Sequence, residues 1–179
     1  DLDGETPSLS YEWSVEGAVQ AETTDTFTGP FVKGESISCS VTPSDVEGDG
    51  TASSASLIVG NVPPADAVVT IVYSDLYNDS TLTCSATATD LDNDSLNVTY
   101  EWCTGETTET ITMDSSHYPT DTVMCTATFS DGTDSVSGTD MITLDNRAPV
   151  VSNVSITADG TLWNGTTLTC SASASDLDG

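Results

Sequence analysis

Apolar and polar residues alternate along this chain with a period of two. Leu82, Cys84, Ala86 and Ala88 interleave with Thr81, Thr83, Ser85 and Thr87. Leu96, Val98, Tyr100 and Trp102 alternate with polar neighbours, as do Val123, Cys125, Ala127 and Phe129. Successive side chains of a strand point to opposite faces, so each run buries one set and leaves its Thr and Ser set in water. No stretch carries an apolar stripe at helical spacing, and the abundant Thr, Val and Ser suit a pleated surface. Turn signals such as Asn-Asp-Ser, Asp-Gly-Thr and Gly-Asp-Gly recur about every ten residues. The pattern predicts an all-β chain of short strands.

The pattern also repeats. Asp90-Leu-Asp through Tyr-Glu-Trp102 matches Asp1-Leu-Asp through Tyr-Glu-Trp13 at an offset of 89 residues. Thr81-Leu-Thr-Cys-Ser-Ala through Asp-Leu-Asp92 matches Thr167 to Asp178 at an offset of 86, the offset that also separates Cys39 from Cys125. Self-similarity at fixed spacing marks a repeat architecture. The expected division is residues 1–61 as the last two-thirds of one repeat, 62–146 as a whole repeat, and 147–179 as the first third of the next. The links Asn61-Val-Pro-Pro64 and Asn146-Arg-Ala-Pro149 are short, and their prolines restrict the chain. The tetrad Asp176-Leu-Asp-Gly179 repeats the opening one, so the pattern closes with a period of 175. The expectation is an excerpt of a longer tandem array, or one repeat of a polymer.

Composition narrows the partners. Among 179 residues there are 29 Asp and Glu against 2 Lys and Arg, a formal net charge of −27. A nucleic-acid binder needs basic residues to release counterions, and an anionic membrane surface would repel this chain. No apolar run approaches the ~20 residues of a membrane-spanning helix. Hydrophobic residues at 36% are enough for a packed core. Neither nucleic acid nor membrane insertion is expected.

The cysteines and tryptophans carry a resemblance. Cys84 precedes Trp102, Cys125 follows it, and both cysteines fall on the inward phase of their strands. With Pro64, Asp-Leu-Asp92, Tyr-Glu-Trp102 and Ser-Asp-Gly132, this resembles the tandem immunoglobulin-like or PKD-like β-sandwich repeats of large bacterial and archaeal surface proteins. A Tyr two residues before Cys125 is missing, a departure from the strict immunoglobulin pattern. The resemblance implies tandem immunoglobulin-like sandwiches with short proline-containing linkers, and a Cys84–Cys125 disulfide. The alternative is free buried thiols. By the 175-residue period, Cys170 of one copy pairs with Cys39 of the next, since the following Trp13 then lies as far beyond Cys170 as Trp102 lies beyond Cys84. Disulfides imply an oxidising, extracellular or cell-surface compartment. Cys103 follows inward Trp102 and so faces outward, either as an intermolecular bridge or as a surface thiol.

The acids cluster in turns. Asp90, Asp92 and Asp94 alternate in one loop, and Asp131 and Asp134 lie in another that an immunoglobulin-like sandwich places at the same pole. Their equivalents are Asp1, Asp3 and Glu5, with Asp45, Glu47 and Asp49. Converging carboxylates repel, and Ca²⁺ with six to eight oxygen ligands would relieve them. Solvated acidic turns are the alternative, because Asp bonds its own backbone there. Asn78, Asn93, Asn97, Asn153 and Asn164 each open an Asn-x-Ser/Thr triplet, a candidate glycosylation set. The lone His117 lies in a polar loop, and no nucleophile, zinc or phosphate motif accompanies it.

No enzyme is expected. The reading is a structural repeat of an extracellular filament, stalk or surface layer, self-associating through edge strands or Cys103. The alternative is a Ca²⁺-dependent adhesin that binds a glycan or cell-surface ligand, with Trp163, matched by Tyr77, as its one evident aromatic contact.

Overall fold

The computed structural model describes residues 6–178. Among them there is no helix; twelve strands account for the regular structure. The chain forms two compact units, residues 1–63 with 90–95, and residues 64–89 with 96–179. Residues 147–178 group with the second unit, and the Asp90–Ser95 loop groups with the first.

The first unit is one antiparallel sheet in the order β2-β1-β3-β4, built from β1 (Ser8–Val15), β2 (Ala18–Val19), β3 (Ser36–Ser44) and β4 (Ser53–Ile58). β1 turns into β2 through Glu16 and Gly17, at φ of 51° and 78°. Two consecutive positive-φ residues match the right-handed twist of a tight hairpin, and glycine adopts the second without strain. Hydroxyl pairs run across the sheet: Ser14 meets Ser38 at 2.6 Å and Ser8 meets Ser44 at 3.0 Å.

The second unit holds three sheets. β5 (Ala65–Tyr73), β6 (Thr81–Thr89) and β8 (Thr110–Thr112) form one in the order β5-β6-β8. β7 (Asn97–Trp102), β9 (Thr122–Ser130) and β10 (Ser135–Thr143) form another in the order β10-β9-β7. Their inward residues Ile71, Leu82, Cys84, Trp102, Ile111, Val123 and Cys125 make one core, an arrangement compatible with a β-sandwich. A Cys84–Cys125 disulfide crosses it. At one edge β10 comes close to β5 because residue 138 is glycine. A Cβ there would lie 2.9 Å from Val69 Cγ2 and 3.0 Å from the Ala67 carbonyl oxygen. Asp140 also falls on the inward phase of β10, and its Oδ2 accepts the Ile71 amide at 2.8 Å. The third sheet is the hairpin of β11 (Val150–Ala158) and β12 (Leu168–Ser175).

Candidate functional site

Two features recur at matching positions of the sequence repeat: an acidic clamp on a proline-containing segment, and a tryptophan–cysteine face. The clamp begins with an Asx turn. Asp90 Oδ1 accepts the Asp92 amide at 2.8 Å, and Asp176 Oδ1 accepts the Asp178 amide at 3.0 Å. Each turn aims the second carboxylate at the residue after Asn61 or Asn146. Asp92 Oδ2 accepts the Val62 amide at 2.7 Å, and Asp178 Oδ2 accepts the Arg147 amide. Asn61-Val62 and Asn146-Arg147 are matching positions of the repeat, each shortly before a proline.

Arg147 extends the second clamp. Its Nε donates to Asp178 Oδ1 at 2.8 Å, Nη2 to Asn78 Oδ1 at 2.8 Å, and Nη1 to Asp79 Oδ2 at 3.1 Å. The guanidinium stacks on the Tyr77 ring, 4.6 Å from its centroid. Asn78 Nδ2 donates to the Leu177 carbonyl at 3.2 Å. Asp178 is only 3% exposed. Burial pushes its carboxyl upward, but the Arg147 amide and guanidinium more than offset that and hold it below the ordinary aspartate value. The hydrogen bond to Asp79 raises Arg147 in turn. Sequence reasoning missed this cluster. Its one signal was that a basic residue, one of 2 in the chain, stands two residues before a proline.

The tryptophan–cysteine face appears covered in one unit and open in the other. Trp102 stands opposite Cys125 between β7 and β9, and Trp13 stands opposite Cys39 between β1 and β3. Both indoles are anchored alike: Trp102 Nε1 donates to the Thr108 carbonyl at 2.8 Å, Trp13 Nε1 to the Thr24 carbonyl at 2.9 Å. In the second unit β6 covers the face and Trp102 is 1% exposed. In the first unit Trp13, Ile37 and Cys39 are half-buried and Leu57 is exposed. They line an open apolar depression of about 310 Å³. Phe27 packs on Trp13 with ring centroids 5.5 Å apart.

The hairpin β11–β12 has the opposite lack. Cys170 stands opposite Ile156, just as Cys84 stands opposite Ile71. Ile71, Leu82 and Cys84 are buried, whereas their counterparts Ile156, Leu168 and Cys170 are exposed. Cys39 and Cys170 are free thiols here.

The acidic set divides. Asp90, Asp92 and Asp94 carry carboxylate oxygens within 4.8 Å of one another, and Asp131 and Asp134 are not in that group. Lys33 Nζ lies 2.6 Å from Asp94 Oδ2. Asp90 Oδ2 is buried without a hydrogen-bond donor. Asp131 Oδ1 closes its own turn on the Thr133 and Asp134 amides, at 2.6 and 2.7 Å. Asp45 Oδ1 does the same for Glu47 and Gly48, at 2.9 and 3.1 Å, while Asp49 bridges back to Ser44. Asp1 and Asp3 lie outside the described residues.

Cys103 is exposed, and its sulfur accepts the Met124 amide at 3.2 Å. Asn93, Asn97, Asn153 and Asn164 are exposed. Asn78 is buried and its amide is engaged, so a glycan there would have to displace Leu177 and Arg147. Trp163 is 75% exposed, while its counterpart Tyr77 is half-buried under Arg147. His117 Nδ1 lies 3.3 Å from Asp114 Oδ1 in a surface turn. Among the described residues no helix is long and apolar enough to cross a membrane. No family model and no curated protein matches this chain.

Proposed function

We propose that this chain is a structural repeat of an extracellular filament, stalk or surface layer, built from tandem immunoglobulin-like sandwiches. One observation carries the reading: Asp92 on Val62 and Asp178 on Arg147 are the same clamp at successive linkers. Acids that recur once per repeat, and that hold the chain between repeats, serve architecture. The buried Cys84–Cys125 bridge supports an oxidising compartment and resistance to unfolding. The large negative charge keeps such an array soluble and shields it from unwanted association. Immunogold labelling of thin sections of the source cells tests the reading. Label along filaments or over the envelope is expected; label confined to the cell interior overturns it.

A second reading, a Ca²⁺-dependent adhesin, has one observation in its favour. The Asp90, Asp92 and Asp94 carboxylates offer hard oxygens, and Asp90 Oδ2 is a buried acceptor that lacks a donor. These three would hold the cation, whose role there would be to stiffen the loop beside the linker and present a ligand site. Lys33 competes for the same charge at Asp94. Calcium titration by calorimetry tests it: saturable binding lost in Asp90→Asn supports the reading, and absence of binding removes it.

A further inference from the structure

We propose that Cys103, Met124 and Met141 form a binding site for a soft monovalent metal ion, Cu(I), on the outer face of the β10-β9-β7 sheet. This site neither needs nor alters the filament reading.

The backbone brings the three sulfur side chains into one row. Met124 of β9 and Met141 of β10 are directly opposite partners. Trp102 stands opposite Cys125 at the end of β7, and Cys103 continues that pairing beside Met124. The Cys103 amide donates to the Met124 carbonyl at 3.0 Å, and its Sγ accepts the Met124 amide at 3.2 Å. Successive strand residues face opposite ways. Trp102, Val123 and Cys125 are buried, so Cys103 and Met124 turn outward; Ile142 packs on the core, so Met141 does too. All three are exposed, Met124 at 38% and Met141 at 63%. Directly opposite residues carry Cβ atoms about 4.5–5.5 Å apart, and the rotatable bonds of methionine let its sulfur close such a gap.

The first unit shows what the same row holds elsewhere. There Ser14 stands opposite Ser38, and Ser38 opposite Ser56. The Ser14 and Ser38 hydroxyls meet at 2.6 Å, so side chains at these places touch. The second unit carries sulfur at all three positions. Two of the chain's 3 methionines lie in this row, and the third, Met113, is buried in the core. Core packing therefore accounts for Met113 and not for Met124 or Met141, whose places serine fills in the other unit.

The donor set selects the ion. Thioether sulfur is neutral and soft, a poor ligand for Ca²⁺ or Mg²⁺, which take oxygen. Zn²⁺ takes thiolate, imidazole or carboxylate. One thiolate with two thioethers suits Cu(I), and the single negative sulfur balances its single charge. Binding replaces the S–H bond of Cys103 by an S–Cu bond and releases the proton to water, with no change of oxidation state. The weak bond from Cys103 Sγ to the Thr122 carbonyl, at 3.8 Å, is given up, while the one from the Met124 amide is kept. The net charge of −27 concentrates cations around the chain.

The test uses the full chain with Cys39→Ser and Cys170→Ser, so that Cys103 is the one thiol outside the disulfide. Cu(I) is supplied anaerobically as its acetonitrile complex, and Ag(I) serves as its redox-inert stand-in. Methyl NMR should show the Met124 and Met141 ε-methyl signals shifting and saturating at one ion per chain, while that of buried Met113 stays. Cys103→Ser should abolish the shifts. Met124→Leu with Met141→Leu keeps these exposed positions apolar. Competition with a chromogenic Cu(I) chelator should show its affinity reduced by about tenfold or more, ~1.4 kcal/mol. Unmoved Met124 and Met141 methyls overturn the proposal, as does an affinity unchanged in the double methionine variant, because Cys103 would then bind the metal alone. A Met113 shift equal to theirs also overturns it, because the ion would then be disturbing the whole fold.

Discussion

Arg147 grips Asp178 twice, once through its backbone amide and once through its guanidinium. The carboxylate is buried and negative, and these donors are what make that state stable. The hairpin β11–β12 is anchored here to Tyr77, Asn78 and Asp79.

This anchor should weaken with acid. The Asp178 carboxyl is depressed below its ordinary value of 3.8 on folding. A depressed carboxyl contributes stability that is present above the unfolded value and lost as pH falls through the folded one. Hydrogen exchange across residues 168–175 should therefore be pH-insensitive in its protection near neutrality and should lose protection below about pH 3.8. Asp178→Asn should lower protection near neutrality and flatten that acid-dependent step. Unchanged exchange in the variant would remove the anchor from the account.

Reducing the Cys84–Cys125 bond should destabilise the second unit by about 2–4 kcal/mol, because the cross-link limits the unfolded chain. Guanidinium melts of the oxidised protein and of a Cys84→Ala, Cys125→Ala double variant measure the difference. Equal midpoints would contradict it.

The two tryptophans should differ in value within the isolated chain. Trp102 is fully enclosed, and Trp102→Ala should cost about 3–5 kcal/mol. Trp13 is half-buried, and Trp13→Ala should cost about 1 kcal/mol in the monomer, because less apolar area is lost from burial. Chemical melts of the two variants beside the parent chain report both numbers, and equal costs would contradict the difference.

Gly138→Val should strain the closing edge between β10 and β5. Its Cβ would meet Val69 Cγ2 and the Ala67 carbonyl inside normal contact distance. A cost of about 1–3 kcal/mol is expected from forcing these apart. A neutral thermal melt would mean the edges separate freely.

Cys84 and Cys125 were legible as inward residues from the phase of their strands, whereas their pairing was read from the resemblance to immunoglobulin-like sandwiches. Trp102 and Leu82 were legible for the same reason. The alternation of Leu96, Val98, Tyr100 and Trp102 led to β7, and the exposed position of Cys103 followed from its neighbour. The acidic loops were legible as turns, and the Asx geometry of Asp90, Asp131 and Asp45 follows from short carboxylates reaching nearby amides. The partner of the second carboxylate in each motif was not legible. Asp92 and Val62 are 30 residues apart, and nothing in local pattern pairs an aspartate with a backbone amide across that distance.

Sequence by itself determined the all-β pattern, the repeat and the inward set, because period-two alternation and self-similarity are local properties of the chain. Tertiary structure decided which groups distant along the chain meet. It paired Asp178 with Arg147, seated the inward carboxylate of Asp140 on the Ile71 amide, and left Trp13 open where Trp102 is closed. Each of these depends on which backbone groups and surfaces come within hydrogen-bond or van der Waals reach. Those forces act over a few ångströms of space, whatever the distance along the chain.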